Sequence, residues 1–313
     1  SQERCISISQ RTMGNCSVSI KDLSKRFGKV KALDGVSLEV KEGEIFGIYG
    51  ADGSGKTTLE RVICTLLKPD SGSVKICGYD SWKDSENAKP FLGYVPGEIA
   101  FPDLKTGTVF LKSQAEFWKV KNLDSSNELT KKLQLDPTAN LKRMSKGMKQ
   151  KTAVIASLIN NPDILILDEP TTGLDPLMRV AFLDILLEEK KKGKTILISS
   201  HLYEELEKIA DRVALIDKGR IIDVCDMDKI RNREQEELKI EFNKKEDYTA
   251  FKKLKYKIIR DQKEFSQLTI VITKDKLKGL FNDLKNYDVK FISQEKYNLE
   301  KYFNSVFEKE KKQ

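Results

Sequence analysis

The chain has 313 residues, a mass of 35.7 kDa and a formal net charge of +8, and its 39% hydrophobic and 33% charged residues are typical of a globular protein with a substantial core. Its longest purely apolar runs are four residues, such as 164–167, far below the roughly twenty needed to cross a bilayer. Five scattered cysteines without a C-x-x-C pair argue against a disulfide framework or a zinc site and favour a reducing cytosol.

Residues 1–17 are predicted to be a loose N-terminal tail. This segment lacks the charged and then apolar pattern of a signal peptide. The sequence MGNC at 13–16 looks like an acylation site, but Val18 stands where the myristoylation pattern requires Ser or Thr. We therefore do not expect lipidation.

Residues 18–227 are predicted to form an α/β domain with a central, mostly parallel sheet. Segments rich in Ile and Leu at 44–50, 163–170 and 194–201 indicate buried strands, and residues 57–67 indicate a helix after the first of them. In such sheets, ligands bind beyond the carboxyl ends of the strands. The three strand ends therefore define one candidate site.

Two further regions depart from this alternation. Helical patterns dominate between about 106 and 160, which predicts a helical subdomain of about 98–160 inserted between two halves of the α/β core. Residues 228–313 alternate short strands with two amphipathic helices, which predicts a small C-terminal α+β accessory domain of roughly βαββαβα order.

The sequence GADGSGKTT, residues 50–58, satisfies the phosphate-loop pattern G-x-x-x-x-G-K-[ST] between a predicted strand and a predicted helix. Glycines let backbone N–H groups close around phosphate oxygens, and the helix N-terminus adds its dipole. Lys56 is predicted to bridge the β- and γ-phosphates, and the Thr57 hydroxyl to hold Mg²⁺. The predicted nucleotide-binding residues of this loop are Gly50, Asp52, Gly53, Ser54, Gly55, Lys56, Thr57 and Thr58.

The other two strand ends supply acidic and imidazole groups. Asp168 is placed to bind Mg²⁺ through its water shell, and Glu169 to polarise the water that attacks the γ-phosphate. An Asp-Glu pair after a strand is usually a turn or a helix cap, but here it follows a phosphate loop. His201, the only histidine of the chain, ends the strand predicted to neighbour that of Asp168.

Taken with SKGMKQK at 145–151 and GLDP at 173–176, these motifs make residues 18 to about 225 resemble the nucleotide-binding (ATPase) subunit of an ATP-binding cassette (ABC) transporter. The resemblance implies a P-loop NTPase core with a helical signature subdomain. It also implies two subunits paired head to tail around ATP and Mg²⁺. His201 then contacts the γ-phosphate as the switch histidine, and Glu169, His201 and Lys56 are the predicted catalytic residues.

The same resemblance assigns several binding roles. Phe27 matches the aromatic that stacks on adenine, although a plain core role is an alternative. Asp175 is expected to help align the partner site, although helix capping before Pro176 would also explain it. The signature residues expected to contact the facing nucleotide are Ser145, Lys146, Gly147 and Met148.

The chain departs from the family pattern at three positions. Gly97 replaces the usual glutamine after GYVP, so we expect water to complete the Mg²⁺ shell while the loop still transmits motion. Lys146 replaces the middle glycine of the signature and Met148 its final glutamine. Backbone contacts survive these changes, but a side-chain contact with the facing ribose is lost.

The function implied by the resemblance is that of an ATP-hydrolysing motor subunit that drives separate membrane-spanning subunits. It pairs with a second, identical or different, nucleotide-binding subunit. YVPGE with SKGMKQK, a single cassette and the short extension favour the branch of bacterial and archaeal exporters of drugs, antibiotics or peptides. The expected location is cytoplasmic and peripheral, on the inner face of the cell membrane.

Two alternatives remain open. One is a soluble ABC ATPase that acts on ribosomes or nucleic acid; the single cassette and the lack of heptads or cysteine pairs count against it. The other is a phosphate-loop kinase or GTPase, which would leave the signature and the switch histidine unexplained.

Residues 228–313 hold 22 Lys+Arg and 16 Asp+Glu, without an arginine or aromatic stripe. We therefore expect no nucleic-acid partner.

Overall fold

The computed structural model describes residues 16–310, and the chain divides into two compact units, with the boundary after Cys225. Of the predicted tail, residues 1–17, the first fifteen lie outside the described residues. The first strand begins at Cys16, two residues before the predicted start of the α/β domain.

The strands of the first unit are β1 (Cys16–Phe27), β2 (Val30–Lys41), β3 (Ile45–Tyr49), β4 (Ser71–Ile76), β5 (Tyr79–Asp80), β6 (Leu92–Val95), β7 (Ile164–Asp168), β8 (Thr195–Ser200), β9 (Arg212–Asp217) and β10 (Arg220–Asp226). Its helices are α1 (Lys56–Ile63), α2 (Ser85–Ala88), α3 (Gly107–Phe117), α4 (Asp124–Lys132), α5 (Lys146–Leu158), α6 (Pro176–Lys191) and α7 (Tyr203–Ile209).

These strands form two sheets. Within residues 16–225, one sheet has the order β10-β9-β3-β8-β7-β6, and its pairs β3–β8, β3–β9, β6–β7 and β7–β8 are parallel. The other has the order β2-β1-β4-β5 with antiparallel pairs. The predicted α/β fold with a mostly parallel central sheet is confirmed, and the antiparallel sheet is an addition to it.

The central strands β7 and β8 are buried along their whole length. Their Ile and Leu side chains suit a parallel sheet covered on both faces. The parallel register places Asp168 beside Ser199 and Tyr49 beside Ser200. The carboxyl ends of β3, β7 and β8 therefore lie side by side, as the sequence predicts.

Helix α1 presents a buried stripe of Lys56, Leu59, Glu60 and Ile63. Leu59 and Ile63 pack into a core that also contains residues of both sheets. The helix ends at Ile63, so the predicted extent of 57–67 is wrong at its C-terminus. Thr65 adopts a left-handed backbone with φ of 63°, and Leu66 N–H donates to Arg61 C=O at 2.9 Å. This local geometry closes the helix.

Helices α3, α4 and α5 occupy the segment of about 106–160 that the sequence predicts to be helical. Two of them begin at a capping hydroxyl. Thr106 Oγ1 accepts the Val109 N–H at 3.3 Å, and Ser145 Oγ accepts the Met148 N–H at 3.2 Å. Such caps satisfy N–H groups that a helix start leaves unpaired.

The second unit contains α8 (Met227–Arg231), β11 (Gln235–Phe242), α9 (Lys245–Lys252), β12 (Lys257–Gln262), β13 (Gln267–Thr273), α10 (Leu277–Leu284), β14 (Val289–Glu295) and α11 (Leu299–Glu310). Its antiparallel sheet has the order β12-β13-β11-β14. Phe242, Ile270, Phe251 and Leu280 join the strands to α9 and α10 in one core. From β11 onward the predicted βαββαβα order is observed.

Within residues 16–310, every helix is too short or too polar to cross a bilayer.

Candidate functional site

The loop that follows β3 wraps around the side chain of Lys56. Its Nζ donates to Gly50 C=O at 2.7 Å and to Ala51 C=O at 3.0 Å, and the side chain is only 5% exposed. Gly55 has φ of 114°, and a Cβ there would lie 2.7 Å from Ala32 C=O. Only glycine fits this position, since other side chains disfavour the angle and would meet backbone.

Lys56, Glu169 and His201 form a connected polar group across the three strand ends. Lys56 Nζ lies 3.2 Å from Glu169 Oε1, and His201 Nδ1 lies 3.0 Å from Glu169 Oε2. Glu169 has a left-handed backbone with φ of 44°, and its N–H donates to Ser199 Oγ at 3.2 Å. Eight other non-glycine residues among those described also have a positive φ, so the contacts of Glu169, and not its backbone angle, identify it as a site residue.

Asp168 is buried beneath this group. Its Oδ1 lies 3.2 Å from Ser199 Oγ, whereas its Oδ2 has no hydrogen-bond partner within the described part of the chain. A buried carboxylate oxygen without a partner is costly. Asp168 Oδ2 is therefore a candidate metal ligand.

An open cavity of about 700 Å³ lies over these residues. The side chains that line it include Asp52, Lys56, Thr57, Asp168 and Glu169. The Thr57 hydroxyl and the unpartnered Asp168 oxygen are hard oxygen donors, the kind of ligand that Mg²⁺ prefers. The residues present therefore fit a magnesium ion, and the lysine and N-terminal N–H groups of α1 fit phosphate.

Two acidic side chains that line the cavity, Asp52 and Glu169, lie close to the His201 imidazole. Ligand atoms of Asp52, Glu169 and His201 lie within 4.8 Å of one another. Further lining residues include Gly97, Glu98, Lys146 and Thr172. A Cβ on Gly97 would lie 3.1 Å from Asp168 Oδ2. The position where the family usually has glutamine is therefore in close contact with the predicted metal ligand.

Glu60 is a second buried carboxyl group at the site, which the sequence analysis missed. Its Oε2 lies 3.2 Å from Ser199 Oγ, the same hydroxyl that contacts Asp168. Burial, and then the charge of Asp168, raise the pKa of Glu60 well above its ordinary value. The available signal was an acid on the apolar stripe of an amphipathic helix.

The signature residues lie at the start of α5. Ser145 is exposed and caps this helix, Gly147 and Met148 are half-buried, and a Cβ on Gly147 would lie 2.7 Å from Gly173 C=O. Of these residues, Lys146 reaches the cavity. The others lie outside the group formed by Lys56, Glu169 and His201, so their nucleotide contacts stay predictions that require a facing copy.

Two other predicted positions also stay predictions. Asp175 is exposed and caps α6, because its Oδ1 accepts the Met178 N–H at 2.9 Å. Phe27 ends β1 with half of its side chain exposed. Val30, Lys31 and Ala32 line the cavity on that side, and the Phe27 ring does not.

The remaining residues of the phosphate loop surround Lys56 and the cavity. Asp52 and Gly53 are exposed and line the cavity, as do Thr57 and Thr58 at the start of α1. Ser54 is buried, and a Cβ on Gly50 would lie 2.6 Å from Ile216 C=O. The loop therefore presents backbone and small polar groups to the cavity while its ends are tightly packed.

Comparison with known proteins gives one consistent result. The ABC transporter family matches residues 33–172. The daunorubicin resistance ATP-binding protein DrrA3 of Streptomyces coeruleorubidus is 34% identical over 218 residues, which cover 67% of this chain and 68% of that protein. The ABC transporter ATP-binding protein NatA of Bacillus subtilis is 35% identical over 66% of this chain and 87% of its own length.

A third relative, the Nod factor export ATP-binding protein I of Burkholderia lata, is 36% identical over 66% of this chain and 69% of that protein. A solved ATP-binding subunit of an ABC transporter superposes with a TM-score of 0.62 and 29% identity, covering 69% of this chain and 92% of the other. A dimeric bacterial ABC cassette at 24% identity, with a TM-score of 0.61 over 67% and 98% of the two chains, supports the fold alone.

Proposed function

This chain belongs to the ATP-binding subunits of ABC transporters, a family of ATPases, and from that premise we propose that it is the motor subunit of an exporter, with residues 18–227 as its nucleotide-binding domain and residues 228–313 as an accessory domain. The observation that carries the proposal is the contact of Glu169 with both Lys56 and His201 beside the unpartnered oxygen of Asp168. Hydrolysis of the γ-phosphate requires a phosphate-binding group, a general base and a metal ligand, and these residues supply all three within one site.

The first step is phosphate binding. The N-terminus of α1 and the Lys56 ammonium attract the phosphates of ATP. Before nucleotide binds, Lys56 and Glu169 neutralise each other at 3.2 Å. The phosphate oxygens compete for the Lys56 ammonium, and Glu169 then becomes available as a base.

Hydrolysis uses Glu169 and His201. Glu169 accepts the proton of the attacking water, and Nδ1 of His201 orients the same carboxylate at 3.0 Å. His201 also donates its Nε2–H to a γ-phosphate oxygen. Thr57 and Asp168 would hold Mg²⁺, which supplies positive charge to the phosphate oxygens.

A second nucleotide-binding subunit, identical or different, completes the site. Ser145 and Asp175 are exposed at the starts of α5 and α6, and Gly147 approaches Gly173 between them. These segments form one surface that supports contact with a facing nucleotide. ATP then holds the pair closed, and loss of the γ-phosphate lets it open.

Separate membrane-spanning subunits carry the cargo, and this chain docks on the inner face of the membrane through them. Export is supported by similarity to proteins named for daunorubicin resistance and Nod factor export. Co-purification tests this assignment. Recovery of an integral membrane protein with the chain from its native host is expected, whereas recovery of ribosomes or nucleic acid would favour the soluble alternative.

The enzymatic part is tested by calorimetric ATP binding and by phosphate release. Lys56→Ala is expected to weaken ATP binding at least tenfold, since a charge-assisted contact is worth about 1.5–3 kcal/mol. Lys68→Ala is the matched control because Lys68 is exposed beyond the end of α1. Equal binding by wild type and Lys56→Ala would contradict the proposed phosphate site.

A further inference from the structure

Glu205 contacts both the loop that carries Glu169 and the loop that carries His201. This residue lies in α7 and is 6% exposed. Its Oε2 accepts the Thr171 hydroxyl at 2.9 Å and the Ser200 hydroxyl at 3.1 Å. Thr171 lies two residues after Glu169, and Ser200 directly precedes His201. One carboxylate oxygen therefore ties the two loops together.

The contact of Ser200 with Glu205 also orders the start of the loop that contains His201. Ser200 Oγ accepts the Leu202 N–H at 3.0 Å while it donates to Glu205. Since the residues on both sides of His201 are held by this one hydroxyl, the backbone at His201 has little freedom. The imidazole is thereby directed toward Glu169.

A third segment approaches the same carboxylate. Arg179 Nε, in the first turns of α6, lies 3.8 Å from Glu205 Oε1, and neither atom has a hydrogen-bond partner among the residues described. The attraction is therefore one of charge. Arg179 follows Asp175, which caps the same helix.

Glu205 is buried, whereas its neighbour in the sequence, Glu204, is not. Glu204 is exposed in the same first turn of α7. An acid that served only the helix dipole could remain in solvent, as Glu204 does. Glu205 instead loses its hydration, and two hydroxyl groups with one guanidinium replace it.

We propose that Glu205 is a positioning residue that keeps Glu169 and His201 at hydrogen-bonding distance by holding Thr171 and Ser200 on a single oxygen. The proposal rests on the ATPase function assigned above. It adds that the Glu169–His201 contact depends on this buried carboxylate as well as on the strand register.

The kinetic test compares Glu205→Ala, Glu205→Gln and the control Glu204→Ala. Glu205→Ala removes the acceptor, and we expect kcat for ATP to fall about tenfold to a hundredfold, as misplacement of about 1 Å can cause, with KM changed less than about twofold. Glu205→Gln keeps a carbonyl oxygen that accepts both hydroxyls, so it should recover most of the rate. Glu204→Ala should match wild type.

A spectroscopic readout separates positioning from general stability. His201 is the only histidine, so an untagged chain labelled at histidine nitrogen gives one set of imidazole signals. We expect these signals to shift in nucleotide-free Glu205→Ala and to stay at their wild-type positions in Glu205→Gln and Glu204→Ala. A folded Glu205→Ala protein with wild-type imidazole signals and wild-type kcat would overturn the proposal.

Thr171→Val and Ser200→Ala cover the case in which Glu205→Ala does not fold. Each removes one hydroxyl contact, and each is expected to lower kcat severalfold; wild-type rates in both would overturn the inference. The proposed function fails separately, if wild type itself neither binds nor hydrolyses ATP.

Discussion

Replacing Glu169 with glutamine tests the assignment of the general base. The amide keeps the size of the side chain and can still contact His201, but it cannot accept a proton from water. Loss of a general base costs about a hundredfold to ten-thousandfold in rate. We expect kcat to fall at least about a hundredfold, or about 2.7 kcal/mol in activation free energy.

The same substitution should leave ATP binding intact. In the free protein it removes the Lys56–Glu169 ion pair of 3.2 Å, whose carboxylate is partly exposed. The Lys56 side chain is 5% exposed and that of Glu169 is 21% exposed, so the pair is largely buried. In the variant ATP no longer has to displace the Glu169 carboxylate from Lys56, so the dissociation constant should be unchanged or lower.

Three assays follow this variant: phosphate release, calorimetric ATP binding, and size-exclusion chromatography with Mg²⁺ and ATP. The predicted combination is slow turnover, preserved binding and accumulation of a closed dimer. Glu204→Gln is the matched control, because Glu204 is exposed. Turnover by Glu169→Gln at the wild-type rate would refute the assigned role of Glu169.

The remaining predictions concern the buried groups beneath the cavity. Asp168→Asn should raise the Mg²⁺ concentration for half-maximal hydrolysis at least tenfold, while metal-free nucleotide binding changes little; an unchanged Mg²⁺ dependence would contradict its role as a ligand. Gly97→Ala would place a Cβ 3.1 Å from Asp168 Oδ2 and should raise that concentration about tenfold, unlike Gly279→Ala, where a Cβ meets open space. Because Glu60 has a raised pKa, its stabilising effect is fully present below pH about 4.5 and is lost as pH rises through the folded-state pKa. In EDTA, the free energy of unfolding of wild type relative to Glu60→Gln should therefore fall with rising pH, and a constant difference would contradict the raised pKa.

The position of the site was predictable because its determinants are local. Buried runs that end in polar residues indicate parallel strands, and the pattern of 50–58 indicates the phosphate loop. The register that brings Asp168 beside Ser199 follows from parallel pairing of the neighbouring strands β7 and β8. The fold class could be predicted from these features, and the family from the further resemblance of SKGMKQK at 145–151, GLDP at 173–176 and His201 to its motifs.

Other features depend on contacts between segments that are distant in sequence. The antiparallel sheet pairs Val18 with both Val40 and Ile76, and no local pattern specifies that register. The early end of α1 depends on the left-handed conformation of Thr65, a residue type with no special preference for it.

The buried carboxyl groups are the clearest example of a feature that depends on contacts between distant segments. Glu204 and Glu205 are adjacent and identical in type, yet one is exposed and the other is buried. Glu60 likewise occupies a buried helix face where a sequence pattern assigns charged residues to solvent. The helical pattern places Glu60 on the apolar stripe of α1, but only the packing of several segments around Glu205 distinguishes it from Glu204.

The most direct test of the central claim is a crystal structure of the chain with Mg²⁺ and a non-hydrolysable ATP analogue. The account predicts the γ-phosphate among Lys56, Asp168, Glu169 and His201, with Ser145 of a facing subunit closing the site. Nucleotide bound elsewhere, or these four side chains dispersed around an empty phosphate loop, would contradict it.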